Sequence, residues 1–190
     1  MANLEPLIQS IPVAPLKLAS LEGCRTLADQ VNNYLVSFRH ESPTNVGQAD
    51  SLQGYCADSY LLECECPRFG SGEGKGVLKE SVRGCDLFIM VDVTNYSLTY
   101  RVNGYENHMS PDNHYQDLKR IISAADGKAR RINVIMPFLY EGRQHKRSKR
   151  ESLDCALMLQ ELVDMGVSNI LTFDAHDPRV SNSIPLHGFD

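Results

Sequence analysis

Several things are missing from this chain of 190 residues. No apolar run approaches the roughly 20 residues a membrane helix needs; the longest are stretches such as Leu87-Phe88-Ile89-Met90-Val91. No basic region followed by an apolar stretch opens the chain, so no export signal is read and a cytoplasmic protein is expected. Tryptophan is absent, and there is no internal repeat or low-complexity tract. An excess of positive charge is also lacking. The formal net charge is -5, which argues against a general nucleic-acid binder. Paired cysteine knuckles are missing too. Cys64-Glu65-Cys66 is the one close pair, without the two-residue gap and second knuckle of a structural zinc site. Reduced, mostly buried thiols are the expectation for all six cysteines.

What is present fits one folded domain. An apolar fraction of 42% and a charged fraction of 23% are ordinary globular values, and the length can bury a core. Residues 1–14 read as an arm and residues 40–58, polar and glycine-dotted, as an insertion. Leu16 to Ala19 reads as a short strand, and Leu27, Val31, Tyr34, Leu35 and Phe38 fall at helical spacing within 22–38. Tyr60 to Cys66 reads as a strand, and the run from Asp86 to Val93 as a strand covered on both faces. A turn is expected at Asn103-Gly104 and a helix over 114–125, with Leu118, Ile121 and Ile122 on one side. Arg131 to Phe138 reads as a buried strand. Ser152 is placed to cap a helix ending at Met165 with Gly166 as its stop, and Asn169 to Phe173 as the next strand. Strand, helix, strand with short links implies α/β architecture with a parallel sheet.

Three stretches could carry chemistry. Arg68 to Gly76 is the most glycine-dense part of the chain. It is not a nucleotide-binding Walker loop. Three residues rather than four separate Gly70 from Gly74, and Gly76 stands where Ser or Thr should follow Lys75. It reads either as a plain hairpin tip or as one that meets an adenine, with Phe69 as a stacking face and Glu73 as an acceptor. The second stretch runs from Arg143 to Arg150, where five of the 19 Lys and Arg residues fall within eight positions. It follows a strand directly, where open α/β sheets bind ligands, and its cations suit a polyphosphate or another anion. No aromatic residue interleaves it, so stacking platforms for single-stranded nucleic acid are missing. A solvated loop is the plain alternative. The third stretch, Asp174-Ala175-His176-Asp177, also closes a strand; it could hold Mg²⁺ shared with substrate phosphates, or be a capped turn.

Taken in order, these motifs resemble the amino-terminal half of the ribose-phosphate pyrophosphokinases. Arg68 to Glu73 is similar to that family's Phe-x-Asn/Asp-x-Glu hairpin, and Glu80-Ser81-Val82-Arg83-Gly84 to its Glu-Ser/Asn-Val-Arg-Gly segment. Pro137 to Gln144 resembles its strand end closing in Tyr-Ala-Arg-Gln. Thr172 to His176 resembles its Asp-Leu-His signature, and Ile184-Pro185-Leu186 its Ile-Pro-Val. The resemblance implies a three-layer, phosphoribosyltransferase-like domain that is a homo-oligomer in the complete protein. It also implies transfer of a diphosphoryl group from Mg-ATP to ribose 5-phosphate. Phe69, Ser71 and Glu73 would meet the adenine of a neighbouring subunit's ATP, and Arg143 and Gln144 would hold the nucleotide. His176 would coordinate Mg²⁺, and Ser81 and Arg83 match a regulatory phosphate or ADP site.

The chain departs from that pattern in four places. Ser71 replaces Asn or Asp, His145 replaces the Asp after Arg-Gln, and Ser148 stands where an Asp is expected. Asp177-Pro178-Arg179-Val180 replaces Ala-x-Gln-Ile. The carboxyl-terminal half, with its ribose-5-phosphate loop, is expected to be missing from residues 1–190. This makes a single amino-terminal synthetase-like domain, inactive alone. A non-catalytic subunit associated with a synthetase and an anion- or RNA-binding α/β module are the rival readings.

Overall fold

The computed structural model of the chain describes residues 14–41 and 54–183. Residues 1–13 of the expected arm, 42–53 of the expected insertion and Ile184-Pro185-Leu186 lie outside that range. Five strands form one all-parallel sheet: β1 (Leu16–Ser20), β2 (Leu61–Leu62), β5 (Asp86–Met90), β8 (Arg131–Ile135) and β9 (Val167–Leu171). Their spatial order is β2-β1-β5-β8-β9. Two antiparallel ribbons stand apart from it, β3 (Cys64–Glu65) with β4 (Val77–Leu78) and β6 (Thr99–Val102) with β7 (Tyr105–His108). The second ribbon turns at Asn103 and Gly104, both at positive φ, as a two-residue hairpin requires.

Three helices cover the sheet, α1 (Arg25–Glu41), α2 (Pro111–Ala125) and α3 (Asp154–Asp164). The layers follow from strand alternation. Leu18 and Met90 point to one face, where they pack with Cys24 and Ala28 beside partly buried Phe88 and Ile135. Ala19, Leu87, Ile89 and Val134 point to the other, against Leu118, Ile121 and Ile122 of α2 and Met158, Leu159 and Leu162 of α3. Each of these large apolar side chains contributes about 1.5–3 kcal/mol by leaving water. The expected three-layer α/β domain is the observed one.

The detailed expectations need several corrections. The strand read over Tyr60 to Cys66 is two strands: β2 joins the sheet, whereas β3 belongs to a ribbon and pairs with β4. His40 and Glu41, read as part of the insertion, close α1. The last strand lies at Val167–Leu171, two residues earlier than its apolar pattern implied. Ser152 does not cap α3; its hydroxyl reaches the Asp154 carboxylate at 2.5 Å, and Leu153 holds the cap position without a side-chain bond. Gly166 is the stop expected, at φ 88°. Helix α2 starts three residues before the expected His114, because Ser110 accepts the Asn113 N–H at 3.3 Å and Pro111 suits the first turn.

A buried polar network fixes the strands that carry the site. Arg131 binds the Asp86 carboxylate with two hydrogen bonds, at 2.9 and 2.6 Å. Asn133, 1% exposed, donates to Asp86 at 2.7 Å and accepts from Asn169 at 2.7 Å. That chain of bonds runs from β5 through β8 to β9 and restricts their register. All six cysteines are free thiols. Burial pushes the Cys24 and Cys66 thiols up to about 12 and Cys64 to about 11, which removes them from thiolate chemistry at neutral pH.

Candidate functional site

Beyond the last residues of β8 and β9 the two chains stay together. Phe138 and Asp174 form a parallel bridge, and Pro137 accepts from the Phe173 and Asp174 amides at 3.0 Å each. Leu139 then donates to the Asp174 carbonyl at 3.3 Å. The basic stretch after β8 and the His/Asp stretch after β9 therefore leave the same rim from one stitched root. The cationic loop turns sharply at Glu141, whose φ is 54°. It is braced by Gln144, which donates its side-chain amide to the Ser152 and Lys146 carbonyls at 2.7 and 3.3 Å. Ser148 is tied to Glu151 through its amide and its hydroxyl.

The loops meet at two imidazoles. The rings of His145 and His176 lie 5.5 Å apart, tilted by 53°. His176 is exposed, whereas the His145 side chain is only 9% exposed, and neither of its ring nitrogens has a hydrogen-bond partner. Its Nε2 lies 3.2 Å from Asp177 Oδ2 without making a hydrogen bond to it. Hydrogen bonds from the Arg179 side chain and amide hold the Asp177 carboxyl far below the usual carboxylate range. Arg143 stands exposed on the same loop. Beside it, Glu141 is shifted upward by burial and by the nearby Asp154 and Asp112 charges. Among the described residues no three His, Cys, Asp or Glu side chains group into a complete metal cage.

The other expected site residues lie elsewhere. Phe69, Ser71 and Glu73 form the tip of the β3–β4 ribbon, where Phe69 donates its amide to Glu73 at 2.7 Å and Ser71 Oγ donates to Glu73 Oε2 at 2.8 Å. Phe69 is 53% exposed. The tip touches the turn of β6–β7 through the Asn103 amide and the Gly70 carbonyl at 3.3 Å. Ser81 and Arg83 sit between β4 and β5, at the amino ends of the strands. The neighbouring Gly84 amide there binds the Lys128 carbonyl at 2.9 Å. The structure thus brings Arg143, Gln144 and His176 together, and leaves the ribbon tip and the Ser81–Arg83 segment as separate surfaces.

Sequence reasoning missed Asp117. This residue of α2, 4% exposed, receives two hydrogen bonds from Arg68 at 2.8 Å each and another from Arg120 at 2.6 Å. It fastens the ribbon's base to the domain. The spacing of Asp117 and Arg120 was the available signal, but an i,i+3 charge pair on a helix ordinarily reads as a solvated surface pair. A cavity of about 290 Å³ opens beside them, lined by Glu22, Arg25, Arg68, Tyr100, His114 and Asp117. It lies near the reversal of strand order between β1 and β5, where open sheets often bind ligands. Its most buried charges, Arg68 and Asp117, already neutralise each other, so the β8–β9 rim is the better candidate.

An open parallel sheet with paired loops at its carboxyl rim places the chain among α/β domains whose chemistry sits at strand ends. Residues 16–166 match the N-terminal domain of ribose phosphate pyrophosphokinase, and the chain belongs to that family. It is 29% identical over 175 residues to the ribose-phosphate pyrophosphokinase of Corynebacterium ammoniagenes, covering 90% of this chain and 44% of that protein. The same figures hold for the Bacillus cereus enzyme. Phosphoribosylpyrophosphate synthetase from Mycobacterium smegmatis shares the fold, with a TM-score of 0.67 and 23% identity over 92% of this chain and 47% of that one. The chain spans less than half the length of these relatives. No helix among the described residues is long and apolar enough to cross a membrane.

Proposed function

We propose that this chain is the nucleotide-presenting half of a ribose-phosphate pyrophosphokinase. The reaction moves the β,γ-diphosphoryl group of ATP to ribose 5-phosphate, giving 5-phosphoribosyl 1-diphosphate and AMP. The observation that carries the reading is the convergence of the Arg143 loop and the His176 loop on one stitched root, with their imidazoles 5.5 Å apart. Arg143 supplies a guanidinium to the nucleotide, and Gln144, bound to backbone carbonyls, holds the loop that presents it. His176 would hold Mg²⁺ together with water and phosphate oxygens; that ion supplies charge neutralisation to the triphosphate. Such transfer needs little covalent work from the protein, so positioning and neutralisation are the chain's contribution. Ribose 5-phosphate would be bound by residues outside this chain.

The ribbon tip and the amino-edge segment take the remaining roles. Phe69, Ser71 and Glu73 project from a ribbon distinct from the β8–β9 rim, which favours their serving the ATP of a neighbouring subunit in a homo-oligomer. Ser81 and Arg83, exposed at the opposite edge, would receive a regulatory phosphate or ADP.

Titration calorimetry of the chain with Mg-ATP tests the first part. Arg143→Ala is expected to weaken binding by about tenfold, the equivalent of one charge-assisted hydrogen bond. Undiminished affinity in that variant would remove the assignment. A separate expectation concerns assembly. Phe69→Ala should weaken Mg-ATP binding in the sedimenting oligomer while leaving the melting temperature unchanged, since the ring is more than half exposed. A lowered melting temperature would make Phe69 a packing residue instead.

A further inference from the structure

We infer that His145 is a second protein ligand to the ion at His176, and that the two imidazoles make this chain select a borderline first-row transition ion over Mg²⁺. The inference rests on the proposed nucleotide site and adds a ligand and a metal preference to it. Three observations carry it. His145 is nine-tenths buried and both of its ring nitrogens lack a hydrogen-bond partner. A buried polar group left unsatisfied costs about 1–3 kcal/mol, so a fold that keeps one usually has a use for it. The ring centre lies 5.5 Å from that of His176, exposed on the neighbouring loop. Two imidazoles bonded to one ion at about 2 Å hold their ring centres about 5 Å apart, close to the separation seen.

The chemistry decides which ion. Mg²⁺ prefers hard oxygen donors and near-ideal octahedral geometry, whereas imidazole nitrogens favour manganese, cobalt, nickel and copper in rising order, with zinc below copper. Asp177 offers no free oxygen donor, because Arg179 already binds both of its carboxylate oxygens.

Cobalt is the probe, because its visible absorption reports nitrogen ligation directly. The 190-residue chain is titrated with CoCl2, followed by absorbance and by paramagnetic NMR of the imidazole protons, and with MgCl2 by calorimetry. Tighter Co²⁺ than Mg²⁺ binding is expected, with hyperfine-shifted ring protons from both His145 and His176. His145→Asp should lower Co²⁺ affinity by about tenfold to a hundredfold while Mg²⁺ binding holds or tightens. Co²⁺ affinity within about twofold of wild type in that variant would overturn the inference, as would a His145 signal untouched by Co²⁺. The NMR readout uses the unaltered chain, so a variant that fails to fold does not spoil the test. Mg-ATP binding that depends on Arg143 alongside a negative cobalt result would sink this inference alone. Cobalt binding through both rings without any nucleotide affinity would sink the nucleotide reading instead.

Discussion

Asp117→Ala is expected to lower the stability of the chain by about 3–5 kcal/mol, the cost of leaving a buried charge without its partner. Two guanidiniums depend on this one carboxylate. The side chain of Arg68 is 10% exposed and that of Arg120 21%, so water can only partly replace the lost bonds. Urea denaturation measures the loss, and hydrogen exchange locates it. The β3–β4 ribbon should lose protection first, because Arg68 is its tether to α2. Adding Arg68→Ala should cost much less than it does in the wild type, since the stranded cation is then gone. A loss below about 1 kcal/mol would show that the pair behaves as a surface ion pair. The part of Mg-ATP binding that depends on Arg143 at the β8–β9 rim should survive in any variant that stays folded, because the bonds of Asp117 go to Arg68 and Arg120.

Gly76→Ala should be nearly as damaging for a steric reason. A Cβ at this position would fall against the carbonyl group of Arg120, with the carbonyl carbon only 2.5 Å away. That atom belongs to the backbone of α2 and cannot swing aside as a side chain would. The ribbon must lift off the helix, at a cost of about 2–3 kcal/mol. Gly70→Ala is the control. No atom lies within 4 Å of its added methyl, and the change in stability should stay within about 0.5 kcal/mol. A thermal melt of both variants decides the matter; equal melting temperatures would mean that Gly76 is present for flexibility and not for close approach.

These two positions also show how far the sequence could be read. The continuous apolar run of β5 and the helical spacing in α2 are local features of the sequence, and the α/β reading with a parallel sheet followed from such features. The glycine string was legible as a hairpin tip. The reason for Gly76 was not, because Arg120, the helix residue it touches, lies 44 residues further on, and only tertiary packing reveals that approach. Asp117 was hidden in the same way: a charged helix residue shows no sign in sequence that its partner comes from a distant ribbon. Cys64 and Glu65 looked continuous with β2, since a two-residue change of pairing partner leaves no periodic mark. Ser152 had the right chemistry for a cap and lost that role to Leu153, its hydroxyl being held by Asp154. At the rim, Arg143, Gln144 and His176 were recognisable by motif. His145 was visible only as a departure from the family pattern. Its burial against His176 comes from two loops that the β8–β9 pairing brings side by side.

The double arginine clamp on Asp117 has one more effect. A tip that is already rigid at its base has few conformations left to surrender when another molecule seats against it. Contact with the exposed Phe69 ring would then be governed by fit and hydration at the meeting surfaces rather than by induced ordering. Loosening the clamp would slow productive encounter even where every touching atom was left unchanged.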